Sequence, residues 1–144
     1  MDIFYSQLDG VTLFRGVRDR ETIRNLINHE YKVFPKTKYS ENSEDAFTGI
    51  AGASYFADDT IMEIEFYATE CKFFYQTYNL LGMNYGELLK AVELNGWDII
   101  KDDETIGLSL ESGQLKLYIP DMADEGFNAK CKAVCVVVPP LDNA

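Results

Sequence analysis

Histidine is almost absent from this chain: its 144 residues include one, His29, together with three cysteines, one tryptophan and four prolines. Cations are also scarce, 13 lysines and arginines against 24 aspartates and glutamates, for a net charge of −11. Each shortage excludes something. Cys71, Cys131 and Cys135 are an odd number with no CxxC pair and no neighbouring histidine, so neither a zinc site nor a disulfide framework is expected. Strand alternation would turn Cys131 and Cys135 to one face, where core filling is the ordinary use of cysteine. The longest unbroken apolar run, Ala133 to Val138, is far too short to span a bilayer, and no basic-headed apolar leader opens the chain. The sequence therefore reads as cytosolic. A strongly negative body repels phosphate backbones and anionic headgroups, which argues against direct binding to nucleic acid or membrane.

Catalytic signatures are missing as well. No serine stands in a G-x-S-x-G elbow, and Gly49-Ile50-Ala51-Gly52 lacks the lysine and hydroxyl residue of a phosphate loop. The acidic runs Asp58-Asp59 and Asp102-Asp103-Glu104 lack the alternating oxygen ligands and central glycine of a calcium loop. Among 24 carboxylates, pairs suited to glycoside hydrolysis can be chosen freely, so their presence says nothing. The expectation is a protein without catalytic residues, metal or cofactor.

What the chain does have is a core. Hydrophobic residues make up 47% of it and aromatics 13%, well above the range of acidic disordered segments. A weak self-similarity divides it. Ile3-Phe4-Tyr5-Ser6-Gln7 echoes Phe73-Phe74-Tyr75-Gln76-Thr77, and each leads through an apolar pair and a glycine into a helix. Asp19 caps the first helix, whose buried stripe is Ile23, Leu26 and Ile27 and whose polar side carries Arg18, Arg20, Arg24 and Asn28. The second starts at Asn84, with Glu87 completing a capping box and Met83 facing Leu88 as a staple.

Strands follow in each half: Ala46 to Tyr55, interrupted by glycines, and Ile61 to Tyr67, then Thr105 to Leu110, Gln114 to Ile119 and Lys130 to Val138. In the Ile61–Tyr67 strand, Met62, Ile64 and Phe66 face the core, and Ile61, Glu63 and Glu65 the other side. The last strand is apolar on both sides, as an interior strand should be. The expected architecture is a single α+β domain over residues 1–138, with an antiparallel sheet carrying helices on one face. A duplicated β-α-β-β unit would make the halves pseudo-repeats of about 1–70 and 71–138, and residues 139–144 an exposed tail.

The charge is segregated. Residues 1–39 hold seven basic and five acidic side chains, net +2; the remainder holds six and nineteen, net −13. The acids gather at turns, and the candidate partner-binding residues are Asp58, Asp59, Asp102, Asp103, Glu104, Asp121, Asp124 and Glu125, merging into one face if the fold brings their loops together. Tyr39, Tyr55, Phe56, Tyr118 and Phe127 are the aromatic candidates for anchors within it.

In size, charge and α+β character the chain resembles the small acidic immunity proteins of bacterial toxin-immunity systems, including those of contact-dependent growth inhibition. That resemblance implies a non-catalytic protein that binds a basic cognate toxin domain, often a nuclease, and occludes its active or substrate-binding surface. Two other readings fit the same features. One is a small-ligand or regulatory domain with a cleft between its halves lined by Phe73, Phe74, Tyr75, Tyr78 and Trp97. The other is an acidic mimic of nucleic acid.

Overall fold

A computed structural model describes residues 1–35, 37–38, 42–102 and 107–138, with only the backbone of Asp102. The first half runs β1 (Asp2–Ser6), β2 (Gly10–Val11), a 3-10 turn (Thr12–Phe14), α1 (Arg20–Ile27), β3 (Lys32–Phe34), β4 (Ser43–Phe47), β5 (Ala51–Tyr55) and β6 (Ile61–Tyr67). The second half runs β7 (Lys72–Tyr75), β8 (Tyr78–Asn79), a 3-10 turn (Leu80–Gly82), α2 (Tyr85–Asn95), β9 (Ile100–Asp102), β10 (Gly107–Leu110) and β11 (Leu115–Tyr118). It ends with α3 (Met122–Glu125) and β12 (Ala133–Val137). The same succession thus occurs twice, with four strands after each main helix.

Local chemistry sets the helix ends as the sequence indicates. Asp19 accepts from the Thr22 backbone at 2.9 Å, and α1 stops where Asn28 turns left-handed. Asn84 and Glu87 form a complete capping box, and Gly96 ends α2 with φ +66°. Ile23 and Ile27 of α1 and Leu88 and Ala91 of α2 are buried.

Two sheets result. The larger is antiparallel throughout, in the order β3-β4-β5-β6-β12-β11-β10-β9. As expected for its apolar sequence, β12 is interior, paired on both sides. The smaller sheet, β2-β1-β7-β8, joins the two halves through a parallel pair, Ile3 opposite Phe73 and Tyr5 opposite Tyr75. The large sheet is the antiparallel sheet the sequence leads one to expect; the parallel ladder belongs to a second sheet, formed by non-local pairing of the echoed segments.

Register lines up the inner face of the large sheet in rows. Phe47, Ala51, Phe66, Val134, Leu117 and Leu108 are successive partners from β4 to β10 and all are buried. The small sheet packs against them, with Phe73 6.0 Å from Phe66 between ring centres. One continuous core therefore draws on both halves.

Some strand readings need correction. The segment Ala46 to Tyr55 is a hairpin, β4 and β5, turning at Gly49 with φ +75°. Ile61 is buried despite sharing parity with Glu63, because a register shift at Ser54 and Tyr55 returns it to the core; Met62 is only partly buried. Cys131 lies before β12 with its thiol donating to the Ala133 carbonyl, while Cys135 faces outward, so the two do not share a face.

Candidate functional site

Side chains alternate across a strand, so register also decides what the outer face of the large sheet presents. On β4, β5, β6, β12 and β11 only Ala133 of the side chains on this face is buried, and Glu44, Lys116 and Tyr118 are exposed. One row reads Glu44, Ser54, Glu63 and Val137 across β4, β5, β6 and β12. The next reads Ala46, Gly52, Glu65, Cys135 and Lys116, and a third Tyr67, Ala133 and Tyr118. Glu44 of β4 thus faces the same side as Glu63 and Glu65 of β6, across β5, from residues separated by up to 21 positions. Among the described residues none of the three forms an ion pair. The Ser54 hydroxyl donates to Glu44 at 3.2 Å.

The electrostatics record that crowding. Burial and the neighbouring Glu63 and Glu44 charges hold the Glu65 carboxyl above its ordinary value, while Tyr67 beside it partly offsets the rise. Burial together with Glu63 and Glu65 pushes the Cys135 thiol up to about 12, so it stays protonated at neutral pH. Lys116, beside Cys135 in the same row, offsets part of this negative field but is not ion-paired to any of the three glutamates, and no activated nucleophile lies among them.

Beside the carboxylates the face dips into an open depression of about 550 Å³, bounded by Glu65, Tyr67, Tyr118 and Ala133, with Lys132 at its rim. Tyr67 and Tyr118 flank Ala133 two strand spacings apart, roughly 10 Å. A Cβ at Gly52 would stand 2.9 Å from the Tyr67 hydroxyl, so the glycine leaves room for that ring to lean across β5. Two tyrosine walls, a small floor and an adjacent carboxylate are the elements that receive a cationic side chain.

The eight acids singled out from the sequence do not form one surface. Asp58 and Asp59 occupy the β5–β6 turn; Asp121, Asp124 and Glu125 lie in the β11–β12 connection around α3. The length of β6 separates these ends by roughly 20 Å. Asp102 belongs to the second group, since it pairs with Gly107, which pairs with Tyr118. Asp103 and Glu104 lie outside the described residues. Asp59 is also engaged internally, bound to Arg20 at 2.9 Å, and Asp58 caps its own turn through the Thr60 backbone at 3.0 Å. The strand acids between these ends make the denser patch. Glu63 and Glu65 were visible as an alternating pair, whereas Glu44 joins them only through register.

Of the aromatic candidates, Tyr39 lies outside the described residues and Tyr55 is fully buried. Tyr118 is exposed on the open face, Phe56 is exposed at the β5–β6 turn, and Phe127 stacks on Tyr85 beside α2. The proposed cleft aromatics are also placed differently: Phe73 is core, Phe74 stacks on Phe4, and Tyr75 and Tyr78 each meet the Trp97 ring edge-on.

A second polar cluster, missed in the sequence, lies on the inner face. Arg20 and Arg24 are not a solvated helix side: both bind Asp45, at 2.7 Å in each case, and Asp45 is 0% exposed. Burial alone would raise that carboxyl, but the two guanidiniums win and hold it below the ordinary range. Arg20 also lies over the Tyr55 ring and Arg24 over Tyr31. Every charge here is matched internally, so the cluster ties α1 to β4 and offers little to a partner. His29 is exposed just beyond α1.

No protein-family model, curated protein or solved structure matches this chain. Among the described residues no helix is long and apolar enough to cross a membrane, and no three His, Cys, Asp or Glu side chains are grouped to hold a metal ion. The functional reading therefore rests on the geometry of the open face.

Proposed function

We propose that the protein is a non-catalytic binding module that docks a basic protein on the open face of its large sheet. The observation that carries this reading is the juxtaposition of Glu44, Glu63 and Glu65 with no ion pair to any of them among the described residues. Mutual repulsion raises the free energy of the unbound protein, and a lysine or arginine from a partner relieves it. Seven strand spacings and strands of three to seven residues give the face roughly 600 Å², close to one side of a standard protein interface. Tyr67 and Tyr118 supply the aromatic contact that charge lacks.

The partner class favoured by the chain's size and acidity is a basic toxin domain, with this protein as its cytoplasmic immunity factor, covering the surface that the toxin uses on its own substrate. The same face also suits an acidic mimic of nucleic acid; an inhibited partner that binds nucleic acid but is not encoded beside this protein would favour that alternative.

The test is binding to the basic domain encoded next to this protein, by calorimetry at low and high salt. Affinity should fall as salt rises. The double reversal Glu63→Lys/Glu65→Lys should weaken binding about 100-fold, about 3 kcal/mol, whereas Asp121→Lys/Asp124→Lys should cost far less. Equal loss from both pairs, or none from the first, overturns the placement on this face. Absence of binding overturns the toxin-domain partner.

A further inference from the structure

The inner face of the large sheet shows what satisfies a carboxylate beside a tyrosine in this protein. Asp45 on β4 and Tyr55 on β5 are diagonal neighbours there, since Tyr55 pairs with Ser43. Arg20 spans them: its guanidinium binds Asp45 at 2.7 Å and lies 4.4 Å from the centre of the Tyr55 ring. Arg24 repeats the arrangement, 2.7 Å from Asp45 and 4.5 Å from the centre of the Tyr31 ring. In both, the carboxylate takes the charge and the ring takes the flat face of the guanidinium.

The outer face carries the same pairing without its arginine. Glu65 and Tyr67 lie two residues apart on β6, on one face and roughly 7 Å from each other, the spacing of a diagonal pair. Tyr118 stands beyond Ala133 as the second wall of the open depression of about 550 Å³. Among the described residues neither Tyr67 nor Tyr118 packs on another ring or beneath a cation, and Glu65 has no ion pair. Tyr118 is 45% exposed, so a partner can reach its ring. Lys132 borders the depression and Lys116 lies two strand spacings from Glu65, so their charge opposes part of the pull on any cation. Contact with the rings has to supply the preference.

We infer that this depression receives an arginine side chain of the basic partner, its guanidinium bound by Glu65 and laid against the Tyr67 and Tyr118 rings. The inference rests on the docking reading and names the side chain that the face selects. Arginine is favoured over lysine because a guanidinium is planar, weakly hydrated and able to bond a carboxylate while stacking on a ring, whereas an ammonium is a compact, strongly hydrated point charge. An anionic guest would instead meet the repulsion of Glu44, Glu63 and Glu65.

The probes are two blocked tripeptides, acetyl-Gly-Arg-Gly-amide and acetyl-Gly-Lys-Gly-amide, titrated into the whole protein and followed by NMR. The arginine peptide should shift the amides of Tyr67, Ala133 and Tyr118 saturably and bind about two- to fivefold more tightly than the lysine peptide, the value of a cation–ring contact at an exposed site. Tyr118→Leu keeps an apolar side chain at an exposed position and should reduce that preference. Glu65→Gln should weaken the arginine peptide, and Lys132→Gln should tighten it. The inference is overturned if the arginine peptide shifts none of these amides, if the lysine peptide binds as tightly, if Tyr118→Leu leaves the preference unchanged, if Glu65→Gln leaves the affinity unchanged, or if Lys132→Gln weakens it. Failure of the docking reading is a separate result: no binding by the basic domain while the peptide preference holds. Conversely, a basic domain that binds Tyr118→Leu at full affinity, yet loses affinity for Glu63→Lys/Glu65→Lys, overturns the arginine site and leaves docking on this face standing.

Discussion

Replacing Glu65 by glutamine should make the free protein more stable. Glu65 shares the outer face with Glu63, two residues along the same strand, and with Glu44 two strands away. Glu63 is about 7 Å away along the strand and, at an effective dielectric between bulk water and the protein surface, costs roughly 1 kcal/mol, while Glu44, about 10 Å or more away across two strand spacings, costs less. Removing one charge relieves two such repulsions, partly screened by salt, for a gain of about 1 kcal/mol. In a chain of this size that corresponds to a rise in Tm of about 3 °C. Glutamine keeps an acceptor for the neighbouring Tyr67, so the change tests charge with little change in shape. The pH dependence follows from the direction of the shift. A carboxyl whose folded-state pKa is raised takes up its proton first in the folded protein, so stability increases as pH falls through that range and is lower above it. Thermal melts by circular dichroism should show the unaltered protein gaining stability from pH 7 to about 5 and Glu65→Gln gaining less. A lower or unchanged Tm for Glu65→Gln at pH 7 in low salt would refute the view that the face holds uncompensated charge.

Two further outcomes follow from the interior. Asp45→Asn leaves Arg20 and Arg24 without their shared carboxylate and should cost about 3–5 kcal/mol in urea unfolding, or about 10 °C in Tm. Asp45 has a lowered pKa, so its stabilisation is present above the ordinary value of 3.8 and is lost as pH falls through the folded one; the acid limb of the stability profile should flatten in this variant. All three thiols have raised pKa values, Cys131 being buried and pushed up to about 12. Alkylation by iodoacetamide at pH 7.5, followed by mass spectrometry, should therefore be slow in the folded protein and rapid in denaturant; rapid labelling of the folded state would contradict the burial.

The sequence by itself determined the parts whose causes are local. Asp19 and Asn84 cap their helices because the hydrogen bonds span three residues, and the unbroken apolar run of β12 marks it as a strand paired on both sides, although its Cys135 and Val137 face the open side and are only partly buried. The alternation around Glu63 and Glu65 placed those acids outward before their neighbours were known. Tertiary structure alone decided the rest, since it depends on which distant segments meet. Glu44 enters the acidic patch through two successive registers, and Arg20 and Arg24 leave the solvent because Asp45 is brought beneath them. The turn acids failed to merge for the same reason: the length of β6 sends its two ends apart, a distance that no local pattern encodes. Charge content and helix ends were legible because they are sums and short-range bonds; the acidic face of the large sheet was not, because it is made where separate strands converge.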